Sequence, residues 1–160
     1  MSFTIFPYQT SQYQSEWEPD KLLAILKENT FEGSLSSTAH QTGKPFIGEV
    51  EGTSFKIITS ARPTSMLCVV EGRVNENGKA NISITKRFHP TFRNLFVFWA
   101  IALFTIPLIL PGTISQKITH SILFLVFIPL IRYLLITFLY RNVEEEAMQE
   151  VETILKLKEV

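Results

Sequence analysis

Residues 94–112 have the sequence NLFVFWAIALFTIPLILPG, which carries no charged side chain. At 1.5 Å per residue, about 20 such residues in a helix cross a hydrocarbon core of ~30 Å. After a short polar turn comes a second apolar run, ITHSILFLVFIPLIRYLLITFLY, at residues 118–140. The two runs predict a transmembrane helical hairpin over residues 93–140, with spans at about 94–112 and 116–134.

Arg132 interrupts the second run, and its depth in the bilayer determines its role. Because the turn is short, both helices must cross the same slab in opposite directions, and about 18 residues counted from residue 115 end near residue 132. Arg132 would then lie level with Arg93, at an interface where snorkelling basic side chains are common. The alternative is a buried arginine in a pore or a lipid-headgroup site.

Basic residues near the ends of the spans favour an orientation with both termini in the cytoplasm. On the side of the termini the basic residues are Lys86, Arg87, Arg93, Arg132 and Arg141. The turn carries only Lys117. The N-terminus has neither a basic segment nor a long apolar run, so no cleavable signal peptide is expected.

Ahead of the hairpin, residues 17–92 predict a cytoplasmic domain in which one helix covers an antiparallel sheet. Residues 1–16 are rich in Ser, Gln and Thr and predict an irregular arm. Residues 17–29 predict a helix, with a proline in the first turn and a leucine-rich stripe. The Ser/Thr/Gly-rich residues 30–44 indicate a loop, with a short strand at 34–38 as an option.

Two β-hairpins follow from the alternation of apolar residues after residue 44. In the first hairpin, a loop at residues 51–54 pairs Val50 with Phe55 and places the apolar residues on one face. That face contains Phe46, Gly48, Val50, Phe55 and Ile57.

The second hairpin has two possible registers. A two-residue turn at Asn77-Gly78 mixes polar and apolar side chains on each face. A three-residue loop at residues 76–78, with Gly78 in the left-handed region, pairs Val74 with Ala80 and makes the apolar sets coincide. We therefore favour the three-residue loop.

Residues 141–160 predict an amphipathic cytoplasmic helix that continues from the second span. Its apolar stripe consists of Ala147, Met148, Val151, Ile154 and Leu155 and lies opposite a glutamate-rich face. Two covers for this stripe are possible: the chain's own domain, or a second copy that forms a short helical seam.

Neither charge nor motifs point to catalysis. The 15 basic and 15 acidic residues give a formal net charge of zero, which disfavours nucleic acid as a partner. The three histidines lack metal-ligand spacing, and the single Cys68 is expected to be a buried, inert thiol. We therefore expect a non-enzymatic protein, with no catalytic residue, no cofactor and no metal site.

Basic and aromatic residues are most concentrated at residues 86–93, KRFHPTFR, immediately before the first span. One interpretation is electrostatic anchoring to anionic lipid headgroups. The other is a specific lipid or regulatory ligand site, which His89 could make sensitive to pH. The candidate headgroup residues are Lys86, Arg87, His89, Arg93, Arg132 and Arg141.

Several short motifs resemble those of small bacterial two-span membrane proteins with an N-terminal β domain. The motifs are Phe46-Ile47-Gly48-Glu49-Val50, Phe55-Lys56-Ile57, Gly72-Arg73-Val74 and the run from Ile82 to His89 that leads into the hairpin. The resemblance covers about residues 44–140, and residues 60–65 depart from it. It implies a bacterial inner-membrane setting and supplies no activity.

Together these features predict an α+β membrane protein whose cytoplasmic β domain is a binding or interaction module tethered to the bilayer. Besides lipid, a second copy or a membrane protein could pair with residues 94–134 and 143–155. The alternative is an oligomeric membrane effector whose hairpins associate to perturb the membrane, although the spans offer few polar residues to line a pore.

Overall fold

The computed structural model describes residues 6–35, 43–75, 80–109 and 111–160. The strands are β1 (Tyr8–Ser15), β2 (Thr30–Glu32), β3 (Phe46–Glu51), β4 (Ser54–Thr59), β5 (Cys68–Asn75), β6 (Asn81–Phe88) and β7 (Leu157–Glu159). The α-helices are α1 (Pro19–Asn29), α2 (Pro90–Ile109), α3 (Ile114–Leu134) and α4 (Arg141–Leu155). A 3₁₀ turn (Pro63–Leu67) precedes β5, and a π-helical segment (Leu135–Tyr140) joins α3 to α4. The described chain is thus α+β, with two long apolar helices.

One mixed sheet contains the seven described strands in the order β2-β3-β4-β5-β6-β1-β7. The β2–β3 pair is parallel and every other described pair is antiparallel. In the β3–β4 hairpin Val50 pairs with Phe55, as predicted. Gly48 is required there because its φ is 152° and a Cβ would lie 2.1 Å from the Lys56 carbonyl oxygen.

The predicted register of the second hairpin is wrong by two residues. Val74 pairs with Ile82 rather than with Ala80, and Gly72 pairs with Ile84. Because side chains alternate with a period of two, a two-residue shift leaves the same side chains on the same face. The apolar pattern therefore excludes odd shifts and cannot detect this one. The predicted loop itself, including Gly78, lies outside the described residues.

The two ends of the domain also differ from the prediction. The irregular arm expected at residues 1–16 contains β1, which lies between β6 and β7. Its Gln- and Ser-rich sequence gives little apolar alternation, because only Tyr13 and Ser15 of the strand are buried. A parallel strand, β2, occupies the start of the expected loop at residues 30–44. Of the optional strand at 34–38, residues 34 and 35 are not in a strand and the rest lie outside the described residues.

The C-terminal helix ends earlier than predicted. Lys156 adopts a left-handed conformation with φ 48°, and the chain then turns into β7 beside β1. The Ser15 hydroxyl donates to the Leu155 carbonyl at 2.7 Å, which satisfies a carbonyl at the helix end. The sheet domain therefore includes β1, α4 and β7 as well as the described part of residues 17–92, and the hairpin is an insertion within it.

The main core lies between one face of the sheet and the two helices α1 and α4. The α4 stripe is part of this core: Ala147, Val151 and Leu155 are fully buried. Of the two predicted covers for the stripe, the structure shows the chain's own domain. A smaller cluster on the opposite sheet face contains Ile47, Ile58 and Val69, beneath Leu35 and Met66.

Helices α2 and α3 form a hairpin that projects from the sheet domain. Both helices are long and apolar enough to cross a membrane, and none of the described residues in either is buried. Their less exposed positions repeat in steps of three and four, as in a coiled-coil seam. These positions include Phe96, Ala100, Leu103 and Pro107 in α2 and Lys117, Ser121, Phe124, Ile128 and Ile131 in α3.

The π-helical segment lets one continuous helix pack first against α2 and then against the sheet. From Ile114 to Leu155 the helix has 42 residues, which corresponds to about 63 Å. The seam side continues to Leu135, and the next fully buried residue is Tyr140, five positions later. A regular helix would instead turn Phe138 or Leu139 to that side, and both are exposed. The wider π turn thus rotates α4 onto the sheet.

Candidate membrane-interface site

A chain of aromatic rings connects the base of the hairpin to the core of the sheet. Phe96 of α2 contacts Phe6 with ring centroids 5.7 Å apart, and Phe6 stacks on Phe88 at 5.4 Å. Phe88 in turn lies 5.7 Å from Tyr140. Phe6 belongs to the arm that was predicted to be irregular, so sequence reasoning missed it. The only feature of the sequence that could have indicated a role for Phe6 is its position as an aromatic residue just before a weakly patterned strand.

Beside these rings, a cleft of about 440 Å³ opens where β1 and β6 meet α2. Its lining residues are Phe6, Pro7, Tyr8, Arg87, Phe88, Arg93 and Val97. Arg93 and Val97 are one helical turn apart and so share a face of α2. Arg87 pairs with Tyr8 across the β6–β1 ladder. Among the described lining residues there are two cations and no carboxylate.

Arg87 is partly neutralised by a shared carboxylate. Its Nη2 donates to Glu71 Oε1 at 2.5 Å, and Lys56 Nζ lies 3.5 Å from the same oxygen. The Glu71 carboxylate is thus shared between Arg87 and Lys56 and does not neutralise both cations. The Arg87 Nε atom is buried and has no hydrogen-bond partner among the described residues.

Lys86, another predicted headgroup residue, lies outside the described lining of this cleft. Strand alternation turns it to the face that carries Ile84 and Phe88. There Lys86 Nζ lies 2.8 Å from Glu144 Oε1, with side chains only 12% and 18% exposed. Burial by itself lowers the pKa of Lys86, but the hydrogen bond and charge of Glu144 outweigh it and raise the pKa above its ordinary value.

His89 is also turned into the protein and is 4% exposed, which does not favour the predicted headgroup contact. Its Nδ1 accepts from the Thr91 amide at 3.2 Å, which satisfies an unpaired N–H at the start of α2. Its Nε2 lies 3.2 Å from the Leu35 carbonyl oxygen and donates to it in this neutral tautomer. Burial lowers the pKa of His89, and the charges of Lys56 and Arg87 lower it further.

The two remaining candidates lie outside the described lining of the cleft. Arg132 is half-buried in the last turn of α3, and Arg141 is exposed in the first turn of α4. Since Ile114 begins α3 opposite the end of α2, equal rise per residue puts Arg132 level with Thr91 in the first turn of α2. Of the six candidates, Arg87 and Arg93 line the same cleft.

Cys68 lies in the core, where its Sγ is 3.8 Å from the Tyr140 hydroxyl. Burial raises the pKa of the Cys68 thiol to about 12. A thiolate is the nucleophilic form of cysteine, so this thiol has the character of the inert residue that the sequence predicts.

No family model, curated protein or solved structure matches the chain. The resemblance to small bacterial two-span proteins stays a prediction.

Proposed function

We propose that the chain is a membrane-anchored binding module, in which α2 and α3 cross a bilayer and the sheet domain lies at its surface. One observation carries this proposal: the described residues of both helices are unburied, yet their exposed side chains are mostly large and apolar. Monomeric soluble proteins rarely expose a contiguous apolar surface of this extent. In lipid the same surface has an apolar solvent, and each helix satisfies its own backbone hydrogen bonds.

The cytoplasmic side of a bacterial inner membrane is the proposed location of the sheet domain. Arginine side chains concentrate at the base of the hairpin, at positions 87, 93, 132 and 141. At the tip, Lys117 donates to the Leu108 carbonyl at 2.9 Å, near the end of α2. The base thus carries four arginines and the tip one lysine. This excess of basic residues at the base supports an orientation with the base on the cytoplasmic side.

The open face of the sheet is the surface that such a module offers to a partner. Opposite α1 and α4, a depression of about 430 Å³ is lined by charged and polar side chains. They include Glu49, Lys56, Glu71, Arg73 and Thr85. The alternating charges suit a polar partner from the aqueous phase.

The proposal is tested by extraction and by site-directed labelling in bacterial cells. The wild-type chain should stay in the pellet after carbonate extraction of membranes. In intact spheroplasts a membrane-impermeant maleimide should label Ser115→Cys at the hairpin tip. Thr153→Cys, at an exposed position of α4, should react only after permeabilisation, and the wild-type chain with its buried Cys68 gives the background. Release by carbonate overturns the membrane anchor, and labelling of Thr153→Cys from outside overturns the orientation.

Crosslinking separates this proposal from the membrane-effector alternative. A tether predicts capture of a different protein through the open sheet face. Homo-oligomers formed through α2 and α3, together with leakage of reconstituted vesicles, would instead support the effector.

A further inference from the structure

We propose that the cleft between β6, Tyr8 and the first turns of α2 binds the phosphate headgroup of an anionic phospholipid. This inference rests on the proposed membrane anchor, because the anchor places the cleft at the depth of the headgroups. It assigns a ligand class to Arg87 and Arg93, the two predicted headgroup residues that line the cleft.

The order of side chains along the cleft matches the order of groups in a phospholipid. Arg93 lies in the first turn of α2, level with the expected interface, and Val97 lies one turn further toward the bilayer. Phe6 and Phe88 extend the apolar wall. A phosphate bound to the arginine would therefore direct the attached acyl chains along Val97 into the hydrocarbon layer.

The charges of the cleft favour an anion with several acceptor oxygens. Guanidinium groups bind phosphate through two parallel hydrogen bonds. The Glu71 carboxylate holds Nη2 of Arg87 but is shared with Lys56, and the buried Nε of Arg87 lacks a partner among the described residues. Arg93 has no ion-pair partner among the residues that the structure describes. The exposed Tyr8 adds a hydroxyl donor.

The size of the cleft favours a headgroup over a protein partner. Its volume of about 440 Å³ falls in the range of small-molecule sites, roughly 300–1,000 Å³. A stable protein interface needs about 800 Å² from each partner, and a cleft lined by seven residues is too small to supply it.

Lipid titration of the full chain tests the proposal. In micelles, binding of phosphatidylglycerol, phosphatidylcholine or inorganic phosphate is followed by native mass spectrometry. Phosphatidylglycerol should bind in preference to phosphatidylcholine. Arg93→Gln should weaken its binding about 10-fold or more, as expected for loss of a charged hydrogen-bonded contact. Arg141→Gln removes an exposed arginine outside the cleft and should change the affinity less than about 2-fold.

Arg93→Lys sharpens the test, because it keeps the charge and loses the planar fork. A several-fold loss of affinity is expected, whereas full retention shows that charge alone acts and overturns the specific cleft. Equal losses for Arg93→Gln and Arg141→Gln overturn it as well. Saturation by inorganic phosphate without any preference among lipids overturns the lipid as the source. If one of these contrary results is obtained with a chain that still resists carbonate extraction, the proposed membrane anchor stands and the proposed headgroup site is wrong.

Discussion

The sheet domain and the hairpin contain similar apolar residues in opposite surroundings. Ile82 in the sheet is fully buried, whereas Ile122 in α3 is 60% exposed. The sheet domain supplies its own apolar surroundings through α1 and α4. The apolar surface of the hairpin is not covered by the described part of the chain, and we propose that lipid covers it. Apolar composition therefore does not identify a protein core until the covering elements are known.

Replacing the same residue type in both regions gives the largest expected effect. Ile82→Ala should lower the free energy of unfolding of the sheet domain by about 2–5 kcal/mol, because it leaves a cavity in a packed core. Ile122→Ala is the matched control and should change it by less than about 0.5 kcal/mol, because its side chain contacts no core residue.

Chemical denaturation in micelles, followed by tryptophan fluorescence, measures both variants. Trp17 packs against the domain core and Trp99 is exposed on α2, so a Trp99→Phe background restricts the signal to the domain. Equal losses of stability from the two variants would show that the hairpin packs as part of the domain.

A second test concerns the ion pair that fastens the helix leaving the hairpin to the sheet. Lys86→Met should cost about 1–3 kcal/mol, because it leaves the Glu144 carboxylate largely buried without its cation. The double variant Lys86→Met/Glu144→Met should lose less than the sum of the two single variants, since buried pairs can be replaced by apolar residues at little cost. Lys158→Met, at the exposed pair with Glu16, should stay close to wild type. Additive losses would contradict a direct coupling.

Much of the fold could be predicted, because the spacing of apolar residues indicates where its helices and strands lie. The hairpin, α1 and the β3–β4 register follow from runs and alternation that sequence shows directly. The β5–β6 register could not be fixed, because a shift of two residues preserves both faces. Strands β1 and β7 were missed because edge and near-edge strands exposed to water need few apolar residues.

The candidate site was only partly predictable, for a similar reason. Six basic or histidine residues lie near the base of the hairpin in sequence, but the direction of each side chain depends on the strand pairing. Alternation alone separates Lys86 from Arg87, yet which face α4 covers is not visible in the sequence. Phe6 reaches the cleft through β1, whose pairing is long-range.

The smallest expected effect is on the pH dependence of the free energy of unfolding. It tests whether the His89 side chain is buried in the sheet domain. Its pKa is lowered by burial, while an unfolded histidine titrates near 6.5. Below about pH 6.5 the unfolded chain therefore binds more protons than the folded chain, so stability falls as the pH falls. The slope from this one group cannot exceed about 1.4 kcal/mol per pH unit.

His89→Gln isolates this contribution, because carboxylates titrate equally in both proteins and cancel in the difference. Its amide can still accept from Thr91 and donate to Leu35. Denaturation curves at several values between about pH 7.5 and 5.5 should show the stability of the wild type falling relative to that of the variant. Parallel pH profiles would mean that His89 is open to water or to headgroups. That result would favour the sequence-based interpretation of His89 as a membrane-surface contact. The start of α2 would then belong to the exposed hairpin and not to the buried part of the sheet domain.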